Sequence, residues 1–196
     1  MTGEEVDHVN VKIFAREPVP TDLSPAIPIF HRWIQDDLLE ELVIDVADYR
    51  HVPGGPGVVL IGDEGNYSLD RTFERLGLLY SQKRPVEGTL QDKLVKSFGS
   101  ALLACSRLED EPGFAGKLQF DVGQCEVILN DRLLAPNTPE TWAVLQPEFV
   151  KFFDGLFGPG IYSIEHVGEP RERFRATVST TSPIDVRSVL EVFATA

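Results

Sequence analysis

The chain has 196 residues, 42 % of them hydrophobic and 25 % charged, which is the composition of a globular protein with material for a substantial core. Its formal net charge of −13 is shared almost equally by the two halves, so no basic face remains for nucleic acid or an anionic membrane. No apolar run approaches the roughly 18 residues of a membrane span, and residues 1–8 are acidic where a signal peptide is basic, so we expect a cytoplasmic protein.

The first part of the chain alternates between strand patterns and proline- or glycine-rich connections. Residues 9–16 alternate apolar and polar side chains, as a strand with one buried face does. The apolar residues of 29–41 fit either a helix or an edge strand, and we favour a helix over 33–41. Residues 62–66 and 67–73 resemble turns. Further strands are predicted over 42–52, 57–62 and 76–81.

Residues 90–108 carry the clearest helical pattern of the chain. Apolar side chains recur there at spacings of three and four residues, and Thr89 with Asp92 forms a near capping box at the start. Cys105 lies in this apolar stripe and Cys125 in a predicted strand, so we expect two buried, reduced thiols rather than a disulfide.

The second half starts with an acidic linker over 110–116 that contains proline and glycine. Residues 117–131 are predicted to form a hairpin that turns at Gly123. Residues 161–179 are predicted to form a second antiparallel pair.

Two more helices are predicted, one over 138–158 and one from Ser182 onward. Pro147 either kinks the first of them or divides it in two. Six large apolar side chains in this segment exceed one ordinary helical stripe, so the last helix or a second copy of the chain must cover the surplus, and we predict a homodimer. They are Trp142, Phe149, Phe152, Phe153, Leu156 and Phe157.

These elements predict an α+β fold with a largely antiparallel sheet or sheets and helices packed on one face, in an order of roughly βαβββα followed by ββαββα. Strands that arrive in pairs with short connections pair antiparallel, and the helix after each pair covers one sheet face. We predict a single domain over 1–196, with the alternative of two β-rich subdomains, about 1–110 and 117–196, joined by the acidic linker.

The candidates for catalysis are Asp45, His51 and His31. Asp45, Asp48 and His51 have a spacing that would gather them on one helical face as a metal or acid–base site. Residues 42–52 resemble a strand, however, so side chains three apart point to opposite faces and only Asp45 and His51 share a side. The third candidate is His31, which has apolar neighbours and could act as an imidazole base.

Two polar loops supply the candidate binding residues. The first is a glycine-flanked turn that could ligate a divalent ion, although it lacks the ligand alternation of an EF-hand and also suits a plain turn or a partner contact. Its candidates are Asp63, Glu64 and Asn66. In the second loop every polar residue also suits a turn or a helix cap. Its candidates are Asn130, Asp131 and Arg132. We assign no metal and no cofactor to either loop.

The sequence favours a non-enzymatic protein that works by self-association or by binding a protein partner. It contains no recognisable nucleophile motif or phosphate loop, and strands over 9–16 and 173–179 could extend a sheet across a two-fold axis. The alternative is a small hydrolase or isomerase with a carboxylate and histidine site that could require a divalent metal ion. A small-molecule carrier is the third class.

Overall fold

An antiparallel sheet of eight strands runs through the computed structural model, which describes residues 6–193. The predicted α+β fold class is therefore confirmed. The strands are β1 (Val9–Ala15), β2 (Val43–Asp48), β3 (Val58–Gly62), β4 (Gly65–Asp70), β5 (Gly77–Gln82), β6 (Phe120–Leu129), β7 (Tyr162–Val167) and β8 (Phe174–Thr180). The helices of these residues are α1 (Ala26–Gln35), α2 (Leu90–Glu109), α3 (Pro139–Phe157) and α4 (Val186–Phe193). Across the sheet the strand order is β2-β3-β4-β5-β1-β6-β8-β7.

Alternation along the strands gives the sheet one face covered by helices and one face without them. In β1, Val9, Val11 and Ile13 are fully buried in the core against α2, whereas Asn10 and Lys12 point to the opposite face. All four helices contribute side chains to this one core cluster. We call the opposite side the helix-free face.

The helix predicted over 90–108 is confirmed as α2. Asp92 N donates to Thr89 Oγ1 at 3.3 Å, and Thr89 N donates to the Asp92 carboxylate at 2.7 Å, so the capping box is complete. In the middle of the helix the ring of Phe98 lies 5.0 Å from that of Phe152 and 5.6 Å from that of Phe153. The helix thus links the sheet to α3.

The first helix lies earlier in the chain than the predicted range of 33–41. Pro28 occupies the third position of α1, where its missing N–H would have had no acceptor within the helix. The helix ends at Gln35 because Asp37 has a φ of 49°, a left-handed conformation that an α-helix cannot contain. Leu38 and its neighbours therefore form a connection and not a helical turn.

Strand β4 covers residues 67–70 of the turn predicted over 67–73, and residues 71–73 remain a turn-like connection. Tyr67 and Leu69 face the core, while Ser68 and Asp70 face the helix-free side. The turn between β3 and β4 is thus shorter than expected. The observed order has one more strand before α2 and one fewer after it than the predicted order.

The hairpin predicted over 117–131 is wrong, because residues 120–129 form the single strand β6. It pairs with β1 and β8, and the β1 register shifts between Ile13, opposite Cys125, and Phe14, opposite Asp121. Gly123 lies in this irregularity, and a β-carbon there would be 2.0 Å from Thr180 Oγ1. The glycine permits close approach to β8 and does not make a turn.

The strands that were expected at sheet edges lie in its interior. β1 is hydrogen-bonded between β5 and β6, and β8 between β6 and β7, so neither can extend the sheet. Among the described residues the edges are β2 and β7. The sheet therefore contains strands from both the 1–110 and the 117–196 segments.

The aromatic surplus of α3 is covered within the chain. Pro147 lies inside a single helix. The ring of Tyr162 lies 5.8 Å from that of Phe153, and the ring of Phe174 lies 6.1 Å from that of Phe149, so β7 and β8 together with α2 cover this face. These aromatic residues therefore give no reason to expect a dimer. A dimer needs a different surface.

Both cysteines are free and buried, as expected. Burial raises the pKa of each thiol, because the charged thiolate would be removed from water. No helix within residues 6–193 combines the length and apolar character that crossing a bilayer requires.

Candidate functional site

The structure does not assemble the three predicted catalytic residues into one site. His31 lies exposed on α1, Asp45 lies exposed on β2, and His51 is exposed in the loop after β2. No hydrogen bond or ion pair joins any two of them, all three being within the described part of the chain. Hydrogen bonds from Arg50 lower the pKa of Asp48 to about 2, and the charge of His51 lowers it slightly further.

The first predicted binding loop, the turn between β3 and β4, forms ion pairs within the chain. Asp63 pairs with Arg84 at 2.6 Å and Glu64 pairs with Lys96 at 2.9 Å. Asn66 Oδ1 accepts a long hydrogen bond of 3.4 Å from the backbone N–H of Gly62. These residues therefore have structural partners that the sequence pattern did not specify.

The second predicted loop follows β6. Asn130 N donates to His8 O at 2.9 Å, Asp131 lies 3.9 Å from the His8 ring, and Arg132 donates to the Arg171 carbonyl at 2.6 Å. Between residues 6 and 193 there is no cluster of three or more His, Cys, Asp or Glu side chains suited to a metal ion.

One edge of the sheet presents an unusually apolar surface to solvent. Leu42 is 65 % exposed, Ile44 57 %, Tyr49 44 % and Val52 41 %, and all four lie in or beside β2. We call these four residues the β2 edge surface. Single exposed apolar residues are ordinary on proteins; here Ile44 lies in the edge strand itself, Leu42 and Tyr49 flank the strand, and Val52 lies in the loop that follows.

The outer side of β2 has no neighbouring strand in the described residues, although Asp45 Oδ1 accepts the N–H of Val46 at 2.8 Å. The strand has only β3 as a neighbour among the described residues, and its register shifts between Val43 and Asp45, which makes Ile44 the irregular position. An edge of this kind offers unpaired N–H and C=O groups to another strand. Asp45 and Asp48 add exposed carboxylates beside the apolar residues.

The helix-free face carries a cavity of about 240 Å³ over its central strands. Strands β1, β4, β5, β6 and β8 contribute its floor and walls, and the connection between β4 and β5 overhangs it. The lining residues are Lys12, Asp70, Thr72, Phe73, Leu79, Glu126, Ile128, Glu172, Arg173 and Arg175. Lys12, Glu126 and Arg175 were not candidates from the sequence.

On one side of this cavity a buried ion pair closes the end of β4. The Lys12 ammonium donates to Asp70, and both side chains are at most 4 % exposed. Asp70 also accepts from Thr72 Oγ1 at 2.7 Å and from Thr72 N at 3.1 Å. Burial lowers the pKa of Lys12, while the Asp70 and Glu126 carboxylates oppose that shift.

On the other side an arginine and a glutamate face each other without a hydrogen bond. Arg175 Nη1 lies 3.9 Å from Glu126 Oε1, which also accepts a long 3.4 Å bond from Thr177 Oγ1. The Arg175 guanidinium lies 4.3 Å from the centre of the Phe73 ring. The side chain of Arg175 is only 16 % exposed and that of Glu126 only 11 %.

The residues that overhang the cavity have a strained backbone. Phe73 and Glu74 have φ values of 58° and 59°, in the left-handed region that bulky side chains avoid. Each such residue costs about 1–2 kcal/mol. Phe73 is nevertheless 63 % exposed, so burial of its ring does not offset that cost. Such strain concentrates at ligand-binding segments.

Comparison with family models, with curated proteins and with solved structures finds no match to this chain. The β2 edge surface and the cavity on the helix-free face are therefore the features that bear on function.

Proposed function

We propose that this chain is a non-enzymatic cytoplasmic protein that binds another polypeptide, a second copy of itself or a protein partner, along the β2 edge surface. The observation that carries the proposal is the joint exposure of apolar side chains and unpaired backbone on one edge strand. Proteins that remain monomeric usually blunt such edges with charge, proline or cover. An added strand would satisfy the backbone of β2 and bury Leu42 and Ile44.

The opposite edge provides a contrast that supports the choice of β2. On β7 the exposed side chains are Ser163 and Glu165, which suit contact with water. Both edges expose carboxylates, but only β2 also exposes a large apolar side chain within the strand, that of Ile44.

The net charge of −13 favours a partner with basic residues beside its apolar ones. Two copies of the chain would bring Asp45 and Asp48 of both edges together, so self-association should be weak at low ionic strength and should strengthen as salt screens the repulsion.

Light scattering at tens of micromolar protein, in low salt and in about 0.5 M salt, tests the self-association. We expect the mass to rise with salt toward twice the chain mass of 21.8 kDa. Ile44→Lys should abolish that rise. The matched control is Ile161→Lys, because Ile161 is 51 % exposed beside the other edge strand.

A short synthetic peptide that alternates valine or isoleucine with lysine tests the partner arm. We expect NMR signals of residues 43–48 to shift or broaden on its addition, and Ile44→Lys to prevent the change. The proposal would be contradicted if the chain stays monomeric at both salt concentrations and its β2 signals do not change when the peptide is added.

A further inference from the structure

The cavity on the helix-free face contains two oppositely charged groups whose hydrogen-bonding capacity is unused. Among residues 6–193 no residue accepts a hydrogen bond from the Arg175 guanidinium, and none donates to Glu126 Oε2. Glu126 as a whole is 8 % exposed. The buried polar side-chain atoms without a partner in the described residues belong to neither group, so the free atoms of Arg175 and Glu126 open into the cavity, where water or a ligand can bond to them.

The direct attraction between these two groups does not account for the arrangement. At 3.9 Å they form an ion pair without a hydrogen bond, and removing both charges from water opposes the attraction between them. The Lys12 and Asp70 pair, in contrast, is hydrogen-bonded and closed by Thr72. The unused capacity is therefore specific to the Arg175 and Glu126 end.

The geometry specifies what would complete that end. The planar fork of a guanidinium matches a carboxylate, which it can bind through two parallel hydrogen bonds. Glu126 Oε2 requires an N–H donor, and an ammonium group satisfies it best. Arg175 and Glu126 are only 3.9 Å apart, so one small ligand could bind both if its carboxylate and its ammonium group are close together in the molecule.

Part of the cavity lining is apolar. Phe73, Leu79 and Ile128 line it beside the charged groups. Its volume of about 240 Å³ lies below the roughly 300–1,000 Å³ of pockets for drug-sized molecules. The occupant must therefore be small, with a zwitterionic head and a short apolar body.

We propose that this cavity binds a free α-amino acid with an apolar side chain, the carboxylate on Arg175, the ammonium on Glu126, and the side chain beneath Phe73. The strained connection at residues 73 and 74 keeps the aromatic ring over the opening, where the ligand would bury it. The site is separate from the β2 edge surface and does not depend on it.

The test is an NMR titration of the protein with L-leucine, L-methionine and L-phenylalanine. For at least one of them we expect saturable shifts at residues 73, 126 and 175 with a dissociation constant of about 1 mM or below. Leucinamide, which lacks the carboxylate, and 4-methylpentanoate, which lacks the ammonium, should each bind about 10- to 100-fold more weakly than leucine.

Two variants test the assigned roles. Arg175→Lys keeps the charge but loses the fork, and Glu126→Gln keeps the shape but loses the charge; each should weaken binding about 10- to 100-fold. Arg187→Lys is the control, because Arg187 is an exposed arginine that pairs with Asp110 far from the cavity. Phe73→Ala is a further variant, and because the Phe73 ring is exposed, its removal should leave the core intact.

Three results would overturn the inference. The first is a dissociation constant weaker than about 1 mM for all three amino acids. The second is 4-methylpentanoate binding as tightly as leucine, which would show an anion site. The third is unchanged binding in Arg175→Lys, Glu126→Gln and Phe73→Ala.

Discussion

Gly65 lies directly against the ring of Tyr80. A β-carbon on Gly65 would be 2.5 Å from Cε2 and Cζ of that ring and 2.6 Å from its hydroxyl oxygen. Tyr80 is fully buried and its ring also lies 5.0 Å from that of Tyr67. The position thus excludes any side chain, although nothing in the local turn pattern indicates this.

We therefore expect Gly65→Ala to destabilise the protein by about 1–3 kcal/mol, as overpacking of a core does. Gly155→Ala is the matched control, because no atom lies within 4 Å of its added β-carbon and the residue is inside α3. That change should stabilise by about 0.5–1 kcal/mol through helix propensity. Urea unfolding of both variants measures the difference, and equal effects would contradict the assigned contact.

Phe98 should be a principal support of the core. It is fully buried and contacts Phe152 and Phe153, so Phe98→Ala should cost about 3–5 kcal/mol. Val95→Ala on the same helix should cost less than about 1 kcal/mol, because Val95 is 50 % exposed. Denaturant unfolding compares them, and a loss under 1 kcal/mol for Phe98→Ala would refute its assigned burial.

The buried pair of Lys12 and Asp70 should be far more sensitive to truncation than a surface pair. Asp70→Ala leaves the Lys12 ammonium buried without its carboxylate and should cost about 3–5 kcal/mol. Asp63→Ala, whose partner Arg84 is 64 % exposed, should cost less than about 1 kcal/mol. Similar losses of unfolding free energy in the two variants would show that burial does not govern this pair.

His166 should make stability depend on pH. Asn137 Nδ2 donates to the carbonyls of Val167 and Glu169, so Asn137 Oδ1 is left to accept from Nε2–H of His166 at 2.5 Å. The ring also stacks on Trp142 at 5.7 Å. Burial lowers the pKa of His166 from its usual 6.5.

The folded state therefore protonates His166 less readily than the unfolded state does. The contribution of neutral His166 to the free energy of unfolding is complete above pH 6.5 and is lost as the pH falls through the lowered pKa of the folded state. Urea unfolding at pH 7 and pH 5 should show a smaller loss for His166→Gln than for the unchanged protein. His31→Gln, at an exposed position, is the control and should lose as much as the unchanged protein. An identical loss in His166→Gln would exclude this role.

Periodicity predicts elements well where one face is apolar and the caps are explicit. The α2 helix is the clearest case, since the stripe around Phe98 and the pairing of Thr89 with Asp92 are both local in sequence. Strand β4 was missed because its outward residues, Asn66, Ser68 and Asp70, are also common in turns. The tertiary pairing with β3 and β5 decides its conformation.

The two surfaces could not be predicted because they depend on topology. Lys12, Glu126 and Arg175 are distant in sequence, and each occupies an outward strand position that looks like ordinary solvent-facing polarity. Only the strand order places β1, β6 and β8 side by side. The sequence candidates Asp45 and Asn66 lie on β2 and β4, two strands that contribute to these surfaces, but their sequence pattern did not indicate either surface.

The interior position of β1 has a consequence for how the chain acquires its structure. Val9 pairs with Leu129, 120 positions later, so β1 lacks one of its two neighbours until β6 has been synthesised. Distant pairings of this kind slow folding, because the loop must close before the contacts form. Until β6 pairs with it, β1 keeps an unpaired edge and an incompletely covered apolar side, which are features that promote aggregation of folding intermediates.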